Sequence, residues 1–421
     1  MSVEAMRWLD RWLGVPLCFL LSLAARWRGR RPASAVAGVV RPRRVLCIQL
    51  AEMGSLVLAG PAVHWLRQRG VAPWFVSFAR NADCLAVAGL VPAERVFLWR
   101  TATPWQFVRD FLRFIRWAWR QRFDAALDFE PCSRFSALLG VLAGASLRAG
   151  YTHEGAYRGR LHSLPVAYRN DRHMSENCLA LAAALLPGEP APDPAQAEIA
   201  WRAQLVPADA ATHGAQVSRR LAESFPAAAG GPLLLLNPNA GDLLPQRRWP
   251  LPRYVELARL LLARHPRLRI GVIGAADEAA AATRLALEVG SPRCASLAGA
   301  FTVAELPALF AHSQLLVGND SGPAHVAALT RTPTLVLFGP ETPLLYRPLG
   351  QARALYAGLP CSPCIRVANQ RRSACRDNIC MQAISVGSVL EAIETMLEAS
   401  PAGTRRSVSA DFSNSARMGV E

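Results

Sequence analysis

Lysine is absent from this chain of 421 residues: all 47 basic residues are arginine, against 31 acidic residues, for a formal charge of +16. A P-loop and a pyridoxal phosphate enzyme both depend on a lysine, so neither class fits. The sequence also lacks an Arg-rich low-complexity arm, a helix-turn-helix signature and zinc-finger spacing. We therefore expect no nucleic-acid partner, although the charge suits an anionic partner such as an acidic membrane surface or a phosphorylated substrate.

Cysteine is sparse over most of the chain and clustered near its end. Six of the ten cysteines are scattered singly, mostly in apolar runs, which predicts a reducing cytosol. The other four occupy one late segment: Cys361, Cys364, Cys375 and Cys380. Four thiols at this spacing suit a structural zinc ion or an iron–sulfur cluster, and free thiols are the alternative.

No uncharged run at the amino terminus is long enough to span a bilayer comfortably. Trp12 to Ala25 has 14 uncharged residues, and as a helix it is about 21 Å long against a hydrocarbon core of about 30 Å. A signal peptide fits poorly, because four arginines precede the small residues of the cleavage-like site. We expect residues 1–33 to form an apolar and basic helix that lies on the membrane surface. A helix docked on the protein's own body is the alternative.

A second amphipathic helix is predicted over Trp105 to Phe123. One face carries Trp105, Val108, Phe111, Leu112, Ile115 and Trp119, and another carries four arginines. We expect the first face to pack on a sheet and the arginine face to be solvated. Phe107, Phe114 and Trp117 lie outside both and keep membrane contact as an alternative.

Short apolar runs alternate with helical ones along most of the chain, which is typical of doubly wound α/β domains. Residues 43–205 and 210–398 are predicted to form two such lobes facing a cleft, with residues 399–421 as a disordered tail. The predicted strands are Val45 to Leu50, Trp74 to Phe78, Val96 to Trp99, Ala125 to Phe129, Leu233 to Leu236, Leu268 to Ile273, Leu315 to Val317 and Thr334 to Phe338. Ligands of open α/β sheets bind beyond the carboxyl ends of strands, so the loops that follow these strands should carry the chemistry.

Three of these loops carry polar residues. After the first strand come Glu52, Gly54 and Ser55, a helix-start turn whose carboxylate suits a general base. The second lobe opens with Asn239 and the pair Arg247 and Arg248, whose guanidinium forks match phosphate oxygens.

The strongest local signal is the later stretch Val317-Gly-Asn-Asp-Ser-Gly-Pro-Ala-His325. A strand there leads through a glycine turn into a helix, whose free amides favour a phosphate. His325 follows Ser321 by about one turn, on the same side.

These residues resemble glycosyltransferase family 9, the ADP-heptose:lipopolysaccharide heptosyltransferase family. The resemblance rests on the loop at Gly54, the Arg-Trp-Pro at Arg248, the Asp-Ser-Gly-x-x-His at Asp320 and the Leu-Phe-Gly-Pro that ends at Pro340, and it covers residues 43 to 398 in order. It implies a GT-B fold of two Rossmann-like lobes and an inverting transfer that requires no metal. It also implies a nucleotide-diphosphate sugar held by the second lobe, and an acceptor held by the first at the cytoplasmic face of the inner membrane.

Carried over by position, the resemblance assigns donor contacts to Asp320, Ser321, Gly322 and His325, with the Ser321 and Gly322 amides on the diphosphate. Arg247 stands where the family often has a lysine, and Glu278 or its neighbour Asp277 would meet the ribose. On the acceptor side it assigns Gly54, Ser55, Asp128 and Arg134.

One departure concerns the base. The family usually has an aspartate directly after the first-loop glycine, and this chain has Ser55, so we expect Glu52 to be the substitute. A nucleotide-diphosphate sugar, with ADP-heptose first, and a lipopolysaccharide core or lipid-linked glycan are the expected substrates. The alternatives are a protein that binds nucleotide sugars or glycans without catalysis, and another GT-B enzyme such as a nucleotide-sugar epimerase.

Overall fold

Two six-stranded sheets, parallel throughout, form the two lobes of the protein. The computed structural model describes residues 3–27, 41–50, 52–205, 213–228, 230–241 and 244–399. The first sheet contains β1 (Arg44–Ile48), β2 (Ala72–Phe78), β3 (Val96–Trp99), β4 (Ala125–Asp128), β5 (Leu147–Thr152) and β6 (Leu164–Ala167). Its helices are α1 (Val3–Trp12), α2 (Gly14–Trp27), α3 (Met53–Leu58), α4 (Gly60–Gln68), α5 (Ala82–Val87), α6 (Pro104–Gln121), α7 (Arg134–Leu142), α8 (Met174–Ala184) and α9 (Pro194–Gln204).

The second lobe repeats this plan. Its strands are β7 (Leu233–Asn237), β8 (Arg269–Val272), β9 (Cys294–Ser296), β10 (Leu315–Asn319), β11 (Thr334–Phe338) and β12 (Ala352–Tyr356). Its helices are α10 (Gly214–Ser224), α11 (Leu251–Arg264), α12 (Ala279–Val289), α13 (Leu306–Ala311), α14 (Gly322–Ala327), α15 (Pro343–Tyr346), α16 (Ile379–Gln382) and α17 (Val386–Ala399). All eight predicted strands are present, with bounds shifted by up to two residues. The last helix includes Ala399, and the rest of the predicted tail lies outside the described residues.

The strand order places the switch points of both sheets at the cleft. The orders are β3-β2-β1-β4-β5-β6 and β12-β11-β10-β7-β8-β9. In each sheet the first three strands are added toward one edge, and the next three are added toward the other edge. The order changes between β1 and β4 in the first sheet and between β7 and β10 in the second, and a crevice opens at such a point. The predicted GT-B type α/β architecture is confirmed, and the loops after β1, β7 and β10 lie where ligands of such sheets bind.

Helix α9 joins the two lobes. Trp201 on α9 packs so closely on α4 that a Cβ added at Gly60 would lie 2.3 Å from its ring. From the same helix, Arg202 donates to the carbonyls of Ala328 and Thr330 in the second lobe, each at 3.2 Å. The two lobes are therefore held together by packing on one side of α9 and by hydrogen bonds on the other.

The amino-terminal segment forms two helices rather than the single helix predicted over 1–33, and residues 28–40 lie outside the described residues. The Asp10 carboxylate of α1 accepts hydrogen bonds from the amides of Arg134 and Phe135 at 2.9 and 2.7 Å, which caps α7. Cys18 of α2 is fully buried against Ala137 and Leu138 of α7. Both helices are thus docked on the first lobe. Among the described residues, no helix is long and apolar enough to cross a bilayer.

Helix α6 confirms the predicted helix and its solvated arginine face, but the expected packing face is buried only in part. The buried side carries Phe114, which is 0% exposed and lies 5.4 Å from the ring of Phe97. Of the six residues expected to pack on the sheet, Phe111 and Ile115 do pack against the core, whereas Trp105, Val108, Leu112 and Trp119 are 52–73% exposed. The reason is that aromatic residues occupy both sides of this helix, and the side that can also bury Asp110 against Arg100 and Arg113 packs inward.

Candidate functional site

A cavity of about 680 Å³ lies between the lobes. The first lobe contributes the start of α3 and the segment around Arg80, while the second contributes the loops after β7, β8, β10 and β11. Of the predicted site residues, ten line it: Glu52, Gly54, Ser55, Asn239, Arg247, Glu278, Asp320, Ser321, Gly322 and His325. The structure thus brings Glu52, the predicted base, to one cavity with residues 320–325, the predicted donor loop.

Buried side-chain amides of two asparagines position the donor loop. The Asn319 side chain, fully buried at the end of β10, accepts from the Trp249 amide at 3.0 Å and donates to the Pro238 carbonyl at 2.8 Å. Asn237 at the end of β7 donates to Ser321 Oγ at 3.0 Å. Because these bonds join the loops after β7 and β10, they fix the point where α14 begins.

The first-lobe loop meets the donor loop in close contact. A Cβ added at Gly54 would lie 2.6 Å from Cδ2 of His325, and one added at Gly322 would lie 2.8 Å from the sulfur of Met53. Neither position has room for a side chain. The two glycines therefore let the starts of α3 and α14 approach, and this approach places Glu52 near the donor loop.

A row of buried ion pairs crosses the cavity. Arg371 binds Glu52 on the first lobe and Glu341 on the second, the latter at 2.7 Å. Glu341 also binds Arg247, whose Nε lies 3.4 Å from Oδ2 of Asp320. These contacts make one electrostatic unit from Glu52 to the donor loop.

The charges in this row alter the acidity of its carboxyls. Burial opposes the ionisation of Glu52, but the charges of Arg371 and Arg247 hold its pKa below the usual glutamate value. Burial raises the pKa of Glu341 in spite of its two arginine partners. Burial likewise opposes Asp320, yet Arg247 and His325 keep the pKa of that carboxyl low. Glu52 and Asp320 are accordingly anions at neutral pH.

The remaining predicted donor residues separate into two groups. Glu278 lines the cavity, accepts from the Ala275 amide at 2.8 Å and is preferred over Asp277, which does not line it. Asn239 also lines it and donates to the Ile273 carbonyl at 3.3 Å. Arg248 does not line the cavity, because the chain turns there and its carbonyl accepts from Asn378.

Asp128 and Arg134 do not line the cavity, in contrast to their assignment to the acceptor side. Each side chain is 3% exposed. Asp128 accepts from Ser136 at 3.0 Å and lies 3.1 Å from His162. Arg134 binds Asp10 of α1. The Asp128 carboxylate is thus paired inside the first lobe, whereas the Arg134 guanidinium binds Asp10 of the first lobe and also donates to Gln370 of the second.

The sequence analysis missed Arg371, Glu341 and Tyr346. Glu341 had a signal, since it directly follows the Gly-Pro at the end of β11. Arg371 had none, because it belongs to a loop that is distant in sequence from every other residue of the cavity.

The four clustered cysteines lie close to one another without converging. Burial raises the pKa of Cys380, and the three other sulfurs add to this effect. Cys364 Sγ accepts from Ser373 Oγ at 3.1 Å, and Cys375 Sγ donates to the Asp377 carbonyl at 3.0 Å. Within the described ranges no three Cys, His, Asp or Glu side chains are grouped to hold a metal ion. A structural zinc ion or an iron–sulfur cluster at these four cysteines stays a prediction.

Comparison with known proteins gives consistent results. The model of glycosyltransferase family 9 (heptosyltransferase) matches residues 111–374. Lipopolysaccharide heptosyltransferase 3 of Escherichia coli is 33% identical over 30% of this chain and 36% of that protein. Lipooligosaccharide heptosyltransferase 2 of Haemophilus ducreyi is 29% identical over 55% of this chain and 65% of that protein. The chain therefore spans between about a third and two thirds of the length of these two relatives.

A solved structure shows the same fold. The Escherichia coli ADP-heptose lps heptosyltransferase II superimposes with a TM-score of 0.62 at 21% identity, over 84% of this chain and 98% of that one. The shared architecture extends over both lobes.

Proposed function

Because the chain belongs to glycosyltransferase family 9, we propose that it transfers heptose or a related sugar from a nucleotide-diphosphate donor, ADP-heptose first, to a lipopolysaccharide core or other lipid-linked glycan. The observation that carries this proposal is the cavity in which the Asp320–His325 loop faces Glu52 from the opposite lobe. A donor on that loop would present its sugar to an acceptor entering from the first lobe.

The proposed reaction is an inverting displacement. The acceptor hydroxyl oxygen attacks C1 of the donor sugar, its proton passes to the Glu52 carboxylate, and the bond from C1 to the diphosphate oxygen breaks with its electron pair leaving on the diphosphate. Arg247, His325 and the free amides at the start of α14 would stabilise the charge that develops there. We propose that these groups make a metal ion unnecessary.

Donor binding tests the assignment directly. Calorimetry with ADP-, UDP-, GDP- and CDP-sugars should show selective binding of ADP-heptose. In His325→Ala this binding should be weakened at least about tenfold, because the variant lacks the imidazole N–H that would hydrogen-bond the diphosphate. Selective binding of another nucleotide sugar would change the proposed donor but leave the proposed donor site unchanged. Binding of none of them by a folded protein would contradict the donor site and favour a glycan-binding protein without catalysis.

We further propose that the first lobe rests on an anionic membrane surface, with the cytoplasmic face of the inner membrane as its location. Large apolar side chains are exposed on α1 and α2, including Trp8 and Trp12 at 59% each, as well as on the outer face of α6. Both sets belong to helices packed beside or onto α7. Exposed tryptophans flanked by arginines are typical of helices that bind at the headgroup level.

Vesicle sedimentation should therefore show binding that increases with the fraction of anionic lipid and falls with salt. Leu112→Ser on α6 should weaken binding by about tenfold, since insertion of a leucine contributes about 1.5–3 kcal/mol. The control is Leu287→Ser on α12, where the leucine is 75% exposed on the other lobe. Equal effects of the two substitutions, or binding indifferent to lipid charge, would contradict a specific membrane surface.

A further inference from the structure

The cysteine-rich loop, residues 361–380, reaches from the second lobe to the first. Gln370 accepts from Arg134 at 3.3 Å, and the Val367 carbonyl lies 3.8 Å from the sulfur of Cys132. Gln370 and Arg371 both have a φ of +56°, in the left-handed region that residues other than glycine seldom adopt. The surrounding contacts hold this conformation, and its result is that the Arg371 side chain points into the cavity.

Arg371 bridges the lobes inside the cavity. Its guanidinium binds Glu52 and Glu341 and lies 5.0 Å from the centre of the Tyr346 ring. Only 11% of its side chain is exposed. A guanidinium between two carboxylates and an aromatic ring is kept inside the cavity, where its planar fork can also form paired hydrogen bonds to phosphate oxygens.

Two guanidiniums of the cavity are already paired with carboxylates. Glu52, Asp320 and Glu341 contact Arg247 and Arg371, and Arg80 lines the same cavity, where its charge interacts with that of Glu52. A diphosphate adds further negative charge to this region. A guanidinium that turns from a carboxylate to the phosphate oxygens would give the diphosphate a charge-assisted partner.

We propose that Arg371 binds the diphosphate of the donor and, in doing so, releases Glu52. This inference rests on the proposed function, since it concerns the same donor site. Arg371 is the arginine that exchanges because its Glu52 partner is 30% exposed, whereas Arg247 is held between two carboxylates that are 2% and 6% exposed. Without Arg371, burial acts on Glu52 with less opposition and makes it a stronger base. The base is then fully active only with the donor in place.

A cycle of variants with ADP and AMP as ligands tests this exchange by calorimetry on the full chain. Arg371→Met should weaken ADP binding at least about tenfold while changing AMP binding less than about twofold, because AMP lacks the second phosphate. Glu52→Gln should tighten ADP binding about threefold or more, and this gain should fall below about twofold in the double variant. Arg372→Met, an exposed arginine next in the same loop, is the matched control and should leave both affinities unchanged.

The outcomes separate this inference from the proposed function. If Arg371→Met leaves ADP affinity intact, or if the Glu52→Gln gain is equal in both backgrounds, Arg371 does not exchange and the inference fails while the donor site stands. If ADP does not bind but inorganic pyrophosphate binds in an Arg371-dependent way, the donor nucleotide is wrong and the inference holds. Binding of neither by a folded protein overturns it. Should Arg371→Met fail to fold, Arg371→Lys keeps the charge without the fork and is expected to show the same selective loss for ADP.

Discussion

Replacement of Glu52 by glutamine is expected to lower kcat by about 10²- to 10⁴-fold, the usual contribution of a positioned general base. The substitution removes a carboxylate that is anionic at neutral pH, because the charges of Arg371 and Arg247 offset the effect of burial on its pKa. It leaves Arg371 paired with Glu341, so the fold should be retained. Steady-state kinetics with a purified acceptor measures the loss, and circular dichroism checks the fold.

Ser55 supplies the control for this experiment. Ser55 occupies the position that carries an aspartate in the family pattern. Its hydroxyl lies 3.4 Å from the Glu52 carboxylate. Ser55→Ala should change kcat by less than about tenfold, because a serine hydroxyl cannot take up the proton by itself. The reverse ranking, with Ser55→Ala the more damaging variant, would mean that Glu52 is not the base.

Acid should affect the enzyme in a way that follows from the same contacts. Because the Glu52 pKa is lowered before donor binds, kcat/KM for the donor should hold down to pH values below the usual glutamate pKa and be lost as the pH falls through the lowered one. In Glu52→Gln the remaining activity should lack this acid limb.

Replacement of Arg247 by methionine is expected to be the most destabilising single change in the cavity, at about 3–5 kcal/mol near neutral pH. Arg247 is mostly buried between Glu341 and Asp320, and its removal leaves their charges short of a partner. Urea unfolding should show the loss, and calorimetry should show donor affinity reduced at least about tenfold, since the uncompensated charges of Glu341 and Asp320 then repel the diphosphate.

The pH dependence of this loss has a definite sign. In the variant, the pKa of Glu341 rises further above its unfolded value, so its buried charge opposes folding at pH 7 and is relieved by protonation as the pH falls. In the wild-type protein the pKa of Asp320 is lowered to about 2, so the stability from its pairing is lost only below the ordinary aspartate pKa and does not change between pH 7 and pH 5. The difference in unfolding free energy between the wild-type protein and Arg247→Met should therefore become smaller as the pH falls from 7 to 5.

Arg248→Met serves as the neighbouring control, because Arg248 does not line the cavity. Donor affinity should be unchanged in that variant. Equal loss of donor affinity in both variants would show that the two arginines act together, as their adjacency in the sequence suggested.

Sequence patterns determined the elements that depend on local chemistry. Every strand predicted from an apolar run is present, because such runs are stable only when buried on both faces of a parallel sheet. The donor loop could also be predicted from the sequence, because its parts are adjacent along the chain: a strand end, a glycine turn and a helix start around Asp320. The strand order of each sheet then follows from the general rule for doubly wound folds, and it places these loops at the switch point.

Tertiary structure alone decided which charges share a site. Arg371 reaches Glu52 across 319 positions of sequence through a loop whose path no local pattern encodes, while Asp128 and Arg134 are bound to partners away from the cavity. It also decided which side of α6 is buried, because apolar residues occupy more than one side of this helix and the buried side is the one that also carries Asp110, paired with Arg100. Periodicity and motif spacing act over a few residues, but ion pairing and burial are settled by distances in space, which the fold sets.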